Sequence, residues 1–231
     1  MRVTPREVFN SLKEKFSLNP VQTSVLIGTM LGDGTIQARK SDARLHIKHS
    51  LNQLSLVEYK RQVFSNITCM PVRVFKQKVG KTDYKFAEFV TLIHPEFTRF
   101  YILSYLNGRK VVPKNIGEGL NSLSLAVWIM DDGSAEYSGL SIQTHSFEES
   151  EVDILRRAIS ENFGIETNKR INKDRWVIYF PKSSLPRLIE TVGKHILTEF
   201  KYKFEPYYLR RPRRDCTPSP VLTGYDTVRT A

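Results

Sequence analysis

Two short segments of this chain say nearly the same thing, and between them they restrict what the rest can be. The first is Leu26-Ile27-Gly28-Thr29-Met30-Leu31-Gly32-Asp33-Gly34; the second is Leu125-Ala126-Val127-Trp128-Ile129-Met130-Asp131-Asp132-Gly133. Each is an apolar run of helical length that closes on an acid followed by glycine. Asp33 and Asp132 stand about a hundred residues apart, a spacing that suggests one structural unit written twice.

An Asp in the last turn of a helix sits at the negative end of the macrodipole, where a cation is preferred. Doing this twice points to carboxylates in use. Two such helices side by side would bring both acids to one spot, a site for a hard divalent cation. Mg²⁺ is expected, since it suits oxygen ligands and keeps room for phosphate and water; Mn²⁺ could substitute. Gly28 and Gly32 lie on one helical face and allow close backbone approach. Gly34 and Gly133 are expected as the left-handed residues that end the helices. The second segment has Val127 where the first has Gly28, and Asp131 where it has Gly32, so the halves are unequal. Asp131 is the weaker of the adjacent acids as a metal ligand, with a local hydrogen-bonding role as the alternative.

At 231 residues the chain can bury a substantial core, as one domain or two fused halves. Its 35 basic and 24 acidic residues give a net charge of +11, which favours a polyanionic partner, nucleic acid or an anionic membrane. No apolar run reaches membrane-spanning length, so nucleic acid is preferred over membrane. Cys69 and Cys216 are too few and scattered for a disulfide framework or a zinc site, which points to a reducing compartment. The N-terminus, with Glu7 and Glu14, does not read as a secretory signal. A DNA-containing compartment is expected, bacterial or archaeal cytoplasm or an organelle matrix.

The order of elements repeats. An extension (1–19) carries an amphipathic piece, Glu7 to Phe16. Asn19-Pro20 starts the first segment's helix. Strands follow at Thr35 to Arg39 and Arg44 to His49, a helix at Leu51 to Phe64, and a hairpin at Val72 to Lys78 and Lys85 to Ile93. A helix from Pro95 to Leu106 is closed by Asn107-Gly108. The second half has Ser122 as helix cap, a hairpin at Ser134 to Tyr137 and Leu140 to His145, and a helix from Glu149 to Phe163. A hairpin at Thr167 to Asn172 and Trp176 to Phe180 and a helix from Ser184 to His195 complete it. The fold class is therefore α+β, a tandem repeat of αββαββα units, with a first half over 20–110, a second over 111–209 and a basic, Pro-rich tail over 210–231. That tail, with Arg210-Arg211-Pro212-Arg213-Arg214, reads as a phosphate-seeking extension or a simple solvated one. Along the second strand Arg44, His46 and Lys48 alternate with Leu45 and Ile47, so one face is polar and basic. Such a ribbon fits a DNA major groove; a solvated strand face is the bland alternative.

These residues resemble the LAGLIDADG homing endonucleases, in the single-chain form with two motifs. Besides the two segments, Lys110-Val111-Val112-Pro113, Gln143-Thr144-His145-Ser146-Phe147 and Lys201-Tyr202-Lys203 recur in similar order in the monomeric intron-encoded members, so the likeness covers roughly Pro20 to Pro206. It implies a pseudo-two-fold fold with the two motif helices at the interface. Each half would have a four-stranded antiparallel sheet, the two forming a DNA-binding saddle. It also implies Mg²⁺-dependent hydrolysis of both DNA strands across the minor groove at a long site, leaving 3′ overhangs. On this resemblance Asp33, Asp132, Lys110, Lys203, Gln143 and His46 are the catalytic candidates, with Lys201 a near alternative to Lys203 and His46 standing where Gln is expected. Asp33, Asp132, Gly32 and Asp131 are the metal candidates. DNA contact is expected from Gln37, Arg39, Arg44, Lys48, Arg73, Lys76, Lys78, Lys81 and Lys85 in the first half. In the second it is expected from Gln143, His145, Lys169, Arg170 and Arg175. Two other functions compete. An RNA maturase on the same fold would assist intron splicing and bind intron RNA; a catalytically silent DNA-binding protein would need no metal.

Overall fold

The structure, a computed structural model, describes residue 10 and residues 14–204. The expected helix at Glu7 to Phe16 lies mostly outside the described residues, and the tail from residue 205 lies wholly outside them. Phe16 itself is buried, edge-on to His94 at 4.9 Å between ring centres and stacked on Phe97 at 6.1 Å.

The motif helices are α1 (Pro20–Leu31) and, four helices later, α5 (Ser122–Asp132). Both begin with a reciprocal cap. Asn19 Oδ1 accepts from the Gln22 N–H at 2.9 Å while Gln22 Oε1 accepts from the Asn19 N–H at 3.1 Å. Asn121 does the same with Ser124, so Asn121 is the cap in place of Ser122, which is the first helical residue. The Asn121 side-chain amide also donates to Ser24 Oγ at 2.7 Å, tying the two helix starts together.

Halfway along, the helices come close enough that a Cβ on Gly28 would lie 2.3 Å from the Ser124 carbonyl oxygen and 2.8 Å from Val127 Cβ. Val127 fills the room that Gly28 leaves, which is why the two motifs differ at this position. The terminal glycines serve close approach too. Neither Gly34 nor Gly133 is left-handed: Gly133 is extended, and the positive-φ glycines among the described residues are Gly80, Gly108 and Gly164. A Cβ on Gly34 would meet Thr29 Cγ2 at 2.2 Å, and one on Gly133 the Ile129 carbonyl at 2.5 Å.

From each motif helix the chain builds one antiparallel sheet. In the first half β1 (Thr35–Ala38) and β2 (Ala43–Ser50) lead to α2 (Leu54–Val63), then β3 (Arg73–Val79), β4 (Thr82–Val90) and α3 (Pro95–Ser104), with sheet order β1-β2-β4-β3. In the second, β7 (Gly133–Glu136) and β8 (Gly139–Gln143) lead to α6 (Glu149–Phe163), β9 (Asn168–Asn172), β10 (Arg175–Pro181) and α7 (Leu185–Val192), with order β7-β8-β10-β9. One face of each sheet packs on helices: Leu45 and Ile47 of β2, and Ile142, Ile178 and Phe180 of β8 and β10, are buried with Leu56, Phe64, Leu155 and Leu188 in one continuous core. Trp128 of α5 is its largest fully buried side chain.

The link between halves departs from expectation. The helix α3 stops at Ser104, and Tyr105–Leu106 (β5) pairs with Arg109–Lys110 (β6) around Asn107-Gly108, both at positive φ. That small hairpin turns Lys110 back toward α1. A single turn, α4 (Ile116–Gly119), then leads into α5.

Candidate active site and nucleic-acid interface

Each motif helix delivers its acid to one place. Asp33, two residues beyond α1, and Asp132, the last residue of α5, both line a cavity of about 170 Å³ with Gly32, Gln143, Thr144 and His145. The two carboxyls are in different states. His49 Nδ1 stands 3.5 Å from Asp33 Oδ2 and holds the half-exposed Asp33 carboxyl below the usual carboxylate range. Asp132 is pushed up to about 8, by burial first and then by the negative charges of Asp33 and Asp131.

The two lysines sit at matching ends of the motif helices. Lys110 Nζ donates to the carbonyls of Gly32 and Gly34, both at 2.8 Å. Lys203 Nζ donates to those of Ile129 at 2.9 Å, Met130 at 2.6 Å and Asp131 at 3.3 Å. Neither helix carries a basic residue in its own last turn, so these distant lysines supply the cation that the helix end favours. Burial lowers the pKa of both, that of Lys203 to about 8. Lys201 is exposed.

The structure turns the Asp131 side chain away from the cavity. Its carboxylate enters the first half, where Lys60 Nζ donates to Oδ1 at 2.6 Å and Oδ2 at 2.8 Å, both side chains wholly buried. The Asp131 carbonyl stays at the helix end beside Lys203, as the Gly32 carbonyl does beside Lys110, so a metal contact from Asp131 would come through its carbonyl and not its carboxylate. A Cβ on Gly32 would lie 2.5 Å from Asp131 Oδ2, so one motif must have glycine where the other has Asp.

The histidine at the carboxylates is His49, and the structure does not bring His46 there. His46 lies on the open face of the sheet, its ring 2.9 Å from Gln37 Nε2 and 3.2 Å from Glu88 Oε2. Strand register explains the misreading. Thr35 pairs with His46 as Ser134 pairs with Ser141, so His46 matches Ser141, and the partner position of Gln143 is Lys48. The longer turn of the first hairpin hides this in the sequence. Gln143 Oε1 is buried with no hydrogen-bond partner in the protein.

His49 and Lys60 escaped the sequence reading, although each leaves a trace. His49 continues the apolar alternation Leu45, Ile47 along β2, and Lys60 interrupts the buried stripe formed by Leu56 and Val57 on α2 and Phe64 just after it. A charged or polar residue at an apolar phase is a sign of a buried partner.

Register also divides the expected DNA contacts. Arg44, Lys48 and Gln37 share the open face of the first sheet with Arg73, Phe75 and Gln77. Arg39 is exposed in the turn beside it and donates to Gln37 Oε1. Lys76, Lys78 and Lys85 alternate onto the opposite face, exposed because the hairpin projects past the core, and Lys81 sits at its tip. In the second sheet Arg170 and Arg175 share the open face with Gln143, and Arg170 lies over the Tyr179 ring at 3.1 Å. Lys169 faces the other way, its ammonium 2.6 Å from Glu149 and 2.7 Å from Asp153 on α6. Lys76, Lys78, Lys85 and Lys169, expected as DNA contacts, therefore lie on the sheet faces opposite Arg73 and Arg170. His145 is exposed at the cavity mouth.

Among the described residues no helix is long and apolar enough to cross a membrane. A family model described as the LAGLIDADG DNA endonuclease family matches residues 23–188. The cytochrome b mRNA maturase bI2 of Saccharomyces cerevisiae is 30% identical over 207 residues, covering 82% of this chain and 48% of the yeast protein. The chain thus spans about half the length of that relative. The probable intron-encoded endonuclease 1 of Wickerhamomyces canadensis is 25% identical over 201 residues, covering 83% of this chain and 87% of its own. Among solved structures, the homing endonuclease I-WcaI bound to its DNA recognition sequence superposes with a TM-score of 0.81 at 24% identity, covering 87% of this chain and 94% of that one. That likeness fixes the two-sheet tandem fold.

Proposed function

Because the chain belongs to the LAGLIDADG DNA endonuclease family, we propose that it is a site-specific endonuclease that binds a long DNA duplex as a monomer and hydrolyses both strands. The observation that carries this reading is the convergence of Asp33 and Asp132, one from each half, on a single cavity. One chain then supplies both carboxylates, and no second copy is needed.

The donor set suits Mg²⁺, with Mn²⁺ as a substitute. Two carboxyl groups leave coordination positions for water and phosphate, and Gln143 Oε1 is a buried acceptor without a protein partner. Asp33 and Asp132 would hold the ion, with the Gly32 and Asp131 carbonyls beside them. The ion would stabilise the charge that develops on the attacked phosphate and its leaving oxygen. The chain's own groups do the rest. Gln143 orients water at the cavity wall, and Lys110 and Lys203 add positive charge behind the helix ends. Arg44, Lys48, Arg73, Arg170 and Arg175 hold the duplex backbone and base edges along the two open sheet faces. Cutting across the minor groove with 3′ overhangs, and a reducing, DNA-containing compartment, belong to the same proposal.

The test is cleavage of a large randomised duplex library with Mg²⁺, alongside Asp33→Asn and Asp132→Asn, with the broken ends sequenced. Discrete ends at one long motif, absent with both variants, support the endonuclease. A second reading has an observation of its own, the likeness to the yeast mRNA maturase. Intact DNA at full library coverage, together with binding to structured intron RNA, would favour it.

A further inference from the structure

The two carboxylates are supported by different machinery, and the difference is confined to one half. Behind Asp33 stands a chain of three buried side chains. His49 Nδ1 is 3.5 Å from Asp33 Oδ2, and the other ring nitrogen, Nε2, is 3.6 Å from Asp131 Oδ1. Asp131 is anchored in turn by both of its oxygens to Lys60. Gln53 Oε1, 3.1 Å from His49 Nδ1, completes the ring's surroundings. His49 and Lys60 come from the first half and Asp131 from the second.

The pseudo-two-fold relation shows what the second half has in their place. Asp131 matches Gly32, and the register that pairs Lys48 with Gln143 pairs His49 with Thr144. Lys60 follows His49 by the interval at which the fully buried Leu155 follows Thr144. Thr144 Oγ1 donates to the Trp176 carbonyl within its own sheet. No counterpart of the chain exists behind Asp132 among the described residues, where glycine, threonine and leucine replace the three polar groups.

We propose that His49, held through Gln53 and lying between Asp33 and the buried Asp131–Lys60 pair, is a positioning residue for Asp33, and that it makes the two strand-cleavage steps unequal: one strand depends on His49 and the other does not. Groups that orient a ligand-bearing side chain from behind shift affinity or activity by about 10- to 100-fold when removed. This inference rests on the endonuclease reading.

The experiment follows each strand of the duplex target, labelled separately, in single turnover with Mg²⁺. The proteins compared are the wild type, His49→Thr (the residue the second half has) and His49→Gln, which keeps a side-chain amide to face the carboxylate. With His49→Thr, cutting of one strand should slow by about tenfold or more, cutting of the other should stay near wild type, and nicked duplex should accumulate. His49→Gln should restore part of the lost rate. Calorimetric titration of the DNA-bound proteins with Ca²⁺ should show one weakened site with His49→Thr. Equal slowing of both strands, or no change in either, overturns the proposal; should His49→Thr fail to fold, His49→Gln carries the same comparison. A wild type that cuts neither strand overturns the endonuclease reading itself.

Discussion

Lys60 and Asp131 form an ion pair from which solvent is wholly excluded, with the ammonium 2.6 and 2.8 Å from the two carboxylate oxygens. It joins the first half to the second directly beneath the cavity. Removing one partner alone strands a buried charge. Lys60→Met or Asp131→Asn should each lower unfolding free energy by about 3–5 kcal/mol, and the double substitution should cost less than the sum of the two. Urea melts of the four proteins check this.

Helix contact at Gly28 predicts a second effect. An added methyl would meet the backbone carbonyl of Ser124, which cannot rotate aside. Gly28→Ala should destabilise by about 1–3 kcal/mol as an overpacked core does. Pairing it with Val127→Ala should leave most of the loss, since the backbone carbonyl remains. Thermal melts distinguish the two.

The Asp132 carboxyl gives a pH dependence. Its folded value of about 8 lies above the ordinary 3.8, so between those values the folded protein binds more protons than the unfolded chain. Stability without metal therefore falls as pH rises from about 4 to about 8 through this group. Asp132→Asn should flatten that slope and raise Tm at pH 8. In the wild type, Mg²⁺ must displace the proton, so apparent Mg²⁺ affinity should rise over the same interval. Melting curves at several pH values, with and without Mg²⁺, test both.

Gln143 separates function from stability. Its Oε1 makes no hydrogen bond in the protein, so Gln143→Leu should change stability by less than about 0.5 kcal/mol. Cleavage should nevertheless fall, because the group facing the cavity is lost. Loss of both together would mean that Gln143 is structural.

The sheet faces give the last prediction. Arg73→Ala and Lys48→Ala should weaken DNA binding and lower the slope of log K against log salt by about 1 each. Lys76→Ala and Lys169→Ala, on the opposite faces, should do neither. Binding titrations at several salt concentrations decide it.

How far the site was legible varies residue by residue. The motif acids, the Asn19-Pro20 helix start and the strand alternation are local patterns that can be read without knowing what packs where, whereas the cap of the second motif helix is Asn121 and not the expected Ser122. Asp33 and Asp132 stood out because an acid at a helix end opposes the dipole. The sequence offers His46 where the fold places Lys48, because a turn of unequal length shifts register by residues that periodicity cannot count. Lys76 and Lys169 stand near other basic residues in sequence, but alternate strand positions face opposite ways. Asp131 looked like a ligand because it adjoins one.

The sequence by itself determined the tandem αββαββα plan, the basic character and the two carboxylates, since period, capping and charge are properties of short stretches. Only the tertiary structure decided which groups surround those carboxylates. Lys203 reaches the end of α5, Lys110 that of α1, and Lys60 and His49 meet Asp131 across the two halves. Those partners lie far apart in sequence and meet only where the helices pack closely around Gly28 and Gly32.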